Sequence, residues 1–437
     1  MRVARRDGIV PGRPGADGMV GSRNSTHWAQ RLGQNARVRL LFVSDEFPWP
    51  ADNGYRARVA NLISGLYQLA SVDLFVASDA RRPDDRRIPA EVGLDKVCSV
   101  DRPVLRGGAG GLWPWLSSGR PRALAWRDWT PTGTVFSRFV EDRSYDCAWF
   151  SHVDMFLALR ARLPARLPAI VDVDNLEWTK ISHRLEQRAV PDRSERWAER
   201  LDVGRWRRVE LGLADQASVV LVCSELDRSR LGDASNVIVV PNGYERPDGT
   251  VEERRPRPLR DGPPTALFVG FQGYPPNADA SRWLVEGIWP RVRQRLPDAE
   301  LRIVGGQGES LHLAGPGVVV TGAVGDMSAE IAAAHVAAMP LRFGGGTRIK
   351  VLEAFANGLP VAATPMAVEG IGCRSDQDLL VGSSASELAE ACARLLTEDA
   401  LRARLAAAAQ DLWRRTYRWE RVHSLLPGAL SAALGEL

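Results

Sequence analysis

The chain has 437 residues, of which 45% are hydrophobic and 25% charged, a composition typical of a globular protein with two or three domains. Its 57 lysine and arginine residues nearly balance 53 acidic residues, so charge alone gives no reason to expect nucleic-acid binding. The five cysteines show no CxxC or histidine-paired spacing, which predicts a reducing, cytoplasmic compartment without disulfides or a zinc site. No apolar run reaches the roughly 18 residues that a membrane-spanning helix needs.

The first 36 residues are rich in arginine, glycine and polar residues. They lack the apolar stretch of a secretory signal, and we predict that residues 1–36 form a disordered extension.

The next part of the chain, residues 37–245, alternates strand-like and helix-like patterns. A helical period runs through 51–70. Apolar runs that end in turn or polar residues occur at 39–50, 72–78, 145–154, 169–178, 217–227 and 236–245. Strands that alternate with helices predict a parallel, doubly wound sheet.

Residues 246–264 are dense in proline and charge, which predicts a linker. A second cycle of strands and helices occupies 265–412, and a terminal helical segment covers 413–437. The predicted fold class is therefore α/β, with two Rossmann-like domains in tandem, a cleft between them and a C-terminal helix that crosses back to the first domain. Ligands of such sheets bind outside the carboxyl ends of the strands.

The segment FGGGTRIKVLEAFANGLPVAAT, residues 343–364, joins a glycine loop to a helical pattern. We predict a helix from about Gly346 to Asn357, where Asn-Gly provides a C-cap and Pro360 prevents continuation. The free N–H groups and the positive dipole at its start form an anion site, and the glycines allow a diphosphate to approach the backbone.

Two cations and one carboxylate follow the glycines. Arg348 and Lys350 add positive charge, which a helix N-terminus disfavours unless an anion lies between them. Glu353 projects on the same side as Lys350 and can reach hydroxyl groups beside the phosphates. The pattern indicates a ligand with a diphosphate and a diol, such as a nucleotide sugar; the alternative is a glycine loop with a Lys–Glu surface pair.

Over residues 37–433 the sequence resembles the retaining glycosyltransferases of family 4, which have the GT-B fold, and within them a GGGTR-type subgroup. The strongest segments are GGGTRIKVLEAFANGLPVAATPMAVEGI, VDVDNLEWTK, VVPNGYE and FVGFQGYPPNADA. The resemblance implies a nucleotide-sugar donor in the second domain, an acceptor in the first, no metal and no further cofactor. Glu353 matches the glutamate expected on the donor ribose, whereas Gly345 stands where the family usually has another glutamate near the transferred sugar. Backbone N–H groups of Gly345 and Gly346 could replace it.

The resemblance and the positions of residues at strand ends together predict three groups of site residues. The catalytic candidates are His152, Arg348 and Lys350. The donor-binding candidates are Gly54, Gly270, Gly305, Gly306, Val324, Gly344, Gly345, Gly346, Thr347 and Glu353. The acceptor-side candidates are Asp174, Asn175 and Glu369.

Some of these residues have a simpler explanation. His152 could be a hydrogen-bonded histidine at a strand end, and Gly54 could be a helix entry with Asp52 or Asn53 as its cap. The Asp-x-Asp of residues 172–175 could suggest a metal, but too few oxygen ligands are clustered there, and we expect none.

We predict a glycosyltransferase that moves a sugar from a nucleotide-diphosphate sugar to an acceptor hydroxyl with retention and without a metal. The alternatives are a nucleotide-sugar epimerase and a non-catalytic nucleotide-sugar-binding protein. The acceptor is a small molecule, a glycan or a lipid-linked group. The basic, tryptophan-bearing stretch 184–210 could touch the inner face of a membrane; the alternative is a solvated helix pair of mixed charge.

Overall fold

The computed structural model describes residues 37–78, 88–106, 109–187, 189–190, 192–346 and 348–435. The predicted extension at 1–36 and the predicted donor residue Thr347 lie outside them. Among the described residues, 13 strands form two separate parallel sheets, one of seven strands and one of six.

The strands of the first sheet are β1 Val38–Ser44, β2 Ala70–Ser78, β3 Leu94–Asp101, β4 Cys147–Phe150, β5 Ala169–Val173, β6 Val219–Val222 and β7 Val237–Val239. The strands of the second are β8 Thr265–Val269, β9 Glu300–Val304, β10 Val318–Gly322, β11 Val336–Met339, β12 Val361–Ala363 and β13 Leu380–Val381.

The helices of the first part are α1 Gly54–Tyr67, α2 Ala109–Ser118, α3 Arg122–Ala125, α4 Thr130–Glu141, α5 Val153–Leu159, α6 Glu177–Glu186, α7 Arg193–Leu211 and α8 Glu225–Arg230. Those of the second are α9 Pro275–Trp283, α10 Trp289–Arg295, α11 Met327–Ala333, α12 Ile349–Ala356, α13 Ala385–Leu395, α14 Asp399–Leu412, α15 Trp419–His423 and α16 Leu426–Leu434.

Each sheet reverses its strand order at one point, and these two points position the candidate site. The first sheet has the order β3-β2-β1-β4-β5-β6-β7, so the reversal lies between β1 and β4. The second has the order β10-β9-β8-β11-β12-β13, with the reversal between β8 and β11. A crevice opens beyond the strand ends at such a point, which makes the loops after β1, β4, β8 and β11 the expected binding surface.

Burial of the sheets follows from their composition. The central strands are continuous apolar runs, as expected for parallel strands covered by helices on both faces. All four residues of β4 and of β11 are buried, and the first domain has a core on each face of its sheet.

The C-terminal segment crosses back to the first domain. Trp419 and Val422 of α15 and Leu426 of α16 are buried in the same core as Leu40 of β1 and Val59 of α1. His423 Nε2 also contacts the Asn61 carbonyl oxygen at 2.8 Å. Burial of these apolar side chains stabilises the packing of the two terminal helices against the N-terminal domain.

The two chain crossings between the domains lie against each other. Tyr244 N donates to the Tyr417 carbonyl at 2.8 Å, and Trp413 Nε1 donates to the Tyr244 carbonyl at 2.8 Å. The buried Arg246 then donates to the Ala356 carbonyl and to the Glu252 carbonyl, so the predicted linker is held by a guanidinium rather than by a helix or strand.

The predicted α/β class with two Rossmann-like domains is confirmed. Two details were wrong. The interval between the apolar runs at 72–78 and 145–154, where no strand or helix was predicted, contains β3 and three helices among its described residues, and the motif helix begins at Ile349 instead of Gly346. No helix in the described part of the chain is long and apolar enough to cross a bilayer.

Candidate active site

The glycine loop lies between β11 and α12, at the reversal point of the second sheet. Gly344 has a φ of 140° and Gly346 a φ of 68°, both in the left-handed region that glycine adopts without strain. These conformations explain why the helix starts late: the chain makes its turn through the glycines, and Arg348 becomes the N-cap residue of α12.

Arg348 and Lys350 lie at the start of α12, and neither forms an ion pair with any described residue. Arg348 is only 7% exposed and donates to the Gly346 carbonyl. Lys350 Nζ donates to Asn277 Oδ1 at 2.7 Å and lies 5.0 Å from the centre of the Phe268 ring. Burial lowers the pKa of both, and for Lys350 the neighbouring charge of Arg348 helps to bring the pKa to about 8. A site with two uncompensated cations favours an anionic ligand.

Glu353 lies one turn further along α12, where its Oε1 accepts a hydrogen bond from the Tyr244 hydroxyl at 3.2 Å. Burial raises the pKa of Glu353 above its usual value, while Tyr244 and Lys350 act in the opposite direction. Tyr244 belongs to the interdomain crossing, so the predicted ribose-binding carboxylate is connected to the junction between the domains.

Three further donor candidates end strands β8 and β9. A Cβ at Gly305 would lie 2.0 Å from the Gly270 carbonyl oxygen, and a Cβ at Gly270 would lie 3.0 Å from Lys350 Nζ. Gly306 faces Phe271, with 3.5 Å between a built Cβ and the ring. These glycines allow the strand ends to pack closely beside Lys350. Val324, in contrast, packs against the core of the second domain.

Gly54 of the first domain lies against the motif helix of the second. A Cβ at Gly54 would come within 3.1 Å of Ile349 Cδ1. Asn53 caps α1 by accepting from Arg56 N at 2.9 Å, as the simpler explanation of this turn expected. The loop therefore both starts a helix and forms one wall of the cleft.

His152 follows β4 at the reversal point of the first sheet, and its Nδ1 lies 2.8 Å from Asp154 Oδ1. Burial would lower the pKa of His152, but Asp154 and Asp45 outweigh it and raise this pKa well above its usual value. Arg102 donates to both Asp45 and Asp154. Asp45, His152 and Asp154 each place one possible metal-ligand atom within 4.8 Å of the others; Arg102 binds Oδ2 of both carboxylates, and Asp45 Oδ1 is buried without a hydrogen-bond partner.

Two aspartates at the end of β5 have different environments: Asp172 lies in the strand and Asp174 just after it. Asp172 is 1% exposed and binds Arg58 through two contacts of 2.6 and 2.9 Å. Burial raises the pKa of Asp174 to about 6, and Asp174 accepts from Asn175 Nδ2 at 3.0 Å. Because Asp172 is bound to a guanidinium, the Asp-x-Asp pair does not offer two free carboxylates.

Asn175 faces the glycine loop across the cleft. A Cβ at Gly345 would lie 2.9 Å from Asn175 Oδ1 and 3.1 Å from the stem of Lys180, and a Cβ at Gly346 would lie 2.3 Å from the same oxygen. Asn175 Oδ1 is buried without a hydrogen-bond partner in the structure. The first domain thus fills the space that a side chain at position 345 would need, which accounts for glycine there.

Glu369 connects the domains instead of standing free. It accepts from Arg230 Nη2 at 2.6 Å, and His183 Nε2 lies 3.9 Å away. His183 Nδ1 also approaches the Gly344 carbonyl at 3.4 Å. Each of these contacts joins a first-domain side chain to the loop or to the segment after β12, so the two domains meet at the predicted site.

Sequence reasoning missed four side chains of this site: His183, Arg230, Tyr244 and Asn277. Asn277 and Tyr244 hold Lys350 and Glu353, whereas Arg230 and His183 contact Glu369 and the loop. Two of them carried a signal, because Tyr244 lies within the VVPNGYE segment of the resemblance and Asn277 within FVGFQGYPPNADA.

A larger cavity adjoins the glycine loop at Gly344. Its volume is about 410 Å³, and Lys180 of α6 and Tyr274 of the second domain contribute to its walls. A second, much smaller cavity of about 20 Å³ lies between Asn175, Arg230 and the loop, and Lys180 and Gly344 line both.

Comparisons with known proteins agree with this arrangement. Residues 263–398 match the family model described as glycosyl transferases group 1. A search of curated proteins finds no match. Among solved structures, sucrose-phosphate synthase from Thermosynechococcus elongatus is 18% identical, with a TM-score of 0.65 over 91% of this chain and 99% of its own.

Two further structures have similar values. HepE of Anabaena, solved with UDP and glucose, is 15% identical, with a TM-score of 0.59 over 90% of this chain and 100% of its own. WaaG, a glycosyltransferase involved in lipopolysaccharide biosynthesis, is 15% identical, with a TM-score of 0.56 over the same shares. At such identities the likeness shows the fold alone. The chain therefore has the GT-B fold of glycosyltransferases, and its second domain carries the sequence pattern of the group 1 glycosyltransferases.

Proposed function

We propose that the protein transfers a sugar from a nucleotide-diphosphate sugar to the hydroxyl group of an acceptor, as a retaining enzyme of family 4. One observation carries the proposal: Arg348 and Lys350 flank a glycine loop in the interdomain cleft without an ion-pair partner among the described residues. A diphosphate supplies the missing negative charge and accepts hydrogen bonds from both cations.

The same cations support the chemical step. When the bond between the sugar C1 and the diphosphate oxygen breaks, the leaving diphosphate gains negative charge beside Arg348 and Lys350, which stabilise it. The acceptor oxygen forms the new bond to C1 on the same face, and its proton passes to a diphosphate oxygen. Glu353 binds the donor ribose, and the protonated His152 contacts the transferred sugar at the opposite wall.

The proposed reaction needs no metal ion. Asp172 is held by Arg58, and Arg102 binds Oδ2 of both Asp45 and Asp154. The charge that a divalent cation brings to a diphosphate is supplied here by side chains. Treatment with EDTA should leave the rate unchanged, and a rate that disappears with EDTA and returns with Mn²⁺ would contradict this part of the proposal.

The donor is best sought first among UDP sugars, because the HepE structure holds UDP and glucose. We place the reaction in the cytoplasm, a proposal supported by five cysteines that are all free.

The test incubates purified protein with a panel of UDP-, GDP-, ADP- and dTDP-sugars and measures the nucleoside diphosphate that is released. We expect one donor to be hydrolysed slowly, with the product sugar in the donor's anomeric configuration. A new sugar isomer from donor alone would indicate an epimerase. Binding without release from any donor, with and without acceptors, would indicate a non-catalytic binding protein.

A further inference from the structure

The 410 Å³ cavity beside the glycine loop differs in character from the charged donor site. It lies between α3, α6 and α7 of the first domain and the Tyr274–Gly344 side of the second, and its volume is about 410 Å³. Its walls are mostly apolar; the larger contributors are Leu105, Trp126, Ile181, Trp206, Tyr274 and Phe343. This volume lies within the range of small-molecule binding sites.

Three of the four cationic side chains that line the cavity are paired with carboxylates. Arg122 binds Asp202 at 2.7 Å, Lys180 binds Glu177 at 2.8 Å, and Arg184 binds Glu199. Arg127 donates to the Pro103 carbonyl. Because three of the four cations are paired and the walls are mostly apolar, the cavity favours an uncharged ligand with a large apolar part.

The cavity also adjoins the glycine loop. Gly344 and Lys180 line both this cavity and the small cavity that reaches Arg348. A ligand in the large cavity can thus extend a hydroxyl group toward the glycine loop while its apolar part contacts Trp126 and Leu105.

We propose that this cavity binds the acceptor, and that the acceptor is an uncharged amphiphile: a hydroxyl-bearing polar end joined to an apolar ring or alkyl chain. The inference rests on the proposed function, since it assigns the second substrate of that reaction. Leu105 is 49% exposed, which places part of the apolar wall at the mouth of the cavity, where a longer chain leaves it.

The test measures binding of methyl, butyl and octyl β-D-glucoside, below micelle-forming concentrations, to protein saturated with a nucleoside diphosphate. We expect affinity to increase about tenfold for every two methylenes that reach the walls. Leu105→Asp and Trp126→Ala should each weaken octyl glucoside binding at least fivefold. Leu211→Asp, which changes an exposed leucine at the end of α7, is the matched control and should have no effect.

The outcomes separate the inference from the proposed function. If no nucleoside diphosphate binds, the proposed function fails. If the diphosphate binds but the three glucosides bind equally, or Leu105→Asp and Trp126→Ala match wild type, the inference is overturned. Co-sedimentation with phosphatidylcholine vesicles distinguishes an amphiphile taken from a bilayer from one taken from solution. The protein enters the pellet only if it binds the amphiphile within the bilayer.

Discussion

Lys350 donates to Asn277 at 2.7 Å, and no carboxylate of the described residues pairs with its ammonium group. The amide of Asn277 therefore orients the cation without neutralising it. Burial together with the charge of Arg348 lowers the Lys350 pKa to about 8. The charged form of Lys350 is therefore destabilised in the free site, and a bound anion would stabilise it.

Removal of the Lys350 charge should weaken diphosphate binding. A hydrogen bond to a charged group contributes about 1.5–3 kcal/mol, so Lys350→Ala should lower the affinity for a nucleoside diphosphate about 10- to 100-fold. Titration calorimetry measures the change. Lys96→Ala is the control, because Lys96 is a lysine of β3 bound to Asp142 and the Phe139 carbonyl. Equal affinities of Lys350→Ala and wild type would contradict the assignment.

The Lys350 pKa gives the donor site a pH dependence of predictable sign. The free protein loses the Lys350 proton as the pH rises through about 8, whereas a bound diphosphate favours the charged form and raises this pKa. Affinity for a nucleotide sugar should therefore be constant below pH 7.5 and fall above it, by up to tenfold per pH unit. Lys350→Arg should bind with little change up to pH 9.5, since arginine stays protonated. A parallel decline in both proteins would assign the effect to another group.

The sheets of the two domains were predictable because most strands are continuous apolar runs. β3, Leu94–Asp101, was missed because it is an edge strand: its residues are at most half-buried, and its sequence LDKVCSVD mixes charge with apolar residues. Edge position is a tertiary property, and the sequence pattern of one strand does not carry it.

The glycine loop and its two cations were recognisable from the sequence, because they lie close together within the segment 344–350. The partners of the loop come from distant parts of the chain. Asn175 explains why position 345 is glycine, but it follows β5 in the other domain, and only the packing of the domains brings its Oδ1 to the loop. The start of α12 at Ile349 has a local cause instead, because the chain turns through Gly344 and Gly346 before the helix begins.

The contact between Glu353 and Tyr244 predicts how the donor ribose is recognised. If Glu353 accepts hydrogen bonds from ribose hydroxyls, wild type should bind a nucleoside diphosphate about 10- to 100-fold more tightly than its 2′,3′-dideoxy analogue. Glu353→Ala should lose this preference. Tyr244→Phe should keep most of it, since the tyrosine hydroxyl, 3.2 Å from Oε1, orients the carboxylate without replacing it. A preference that survives in Glu353→Ala would assign the ribose to another residue.

The buried pair of Arg58 and Asp172 joins helix α1 to two strand ends of the first domain, those of β5 and β7. Besides binding Asp172, Arg58 donates to Asn242 Oδ1 at 3.1 Å and to the Val240 carbonyl at 3.0 Å. The side chains of Arg58 and Asp172 are each 1% exposed. Asp172→Ala leaves an uncompensated guanidinium in the interior and should destabilise the domain by about 3–5 kcal/mol. Thermal unfolding followed by circular dichroism should show a midpoint lowered by about 2–4 °C for each kcal/mol.

The matched control for this pair is Asp142→Ala, which removes the partner of Lys96 at a surface site where the carboxylate is 67% exposed. Solvent and salt screen such a pair, so its midpoint should equal that of wild type. An Asp172→Ala midpoint that also equals wild type would mean that water reaches Arg58. In that case the ends of β5 and β7 would be held by packing alone, and Asn242→Ala should likewise leave the midpoint unchanged.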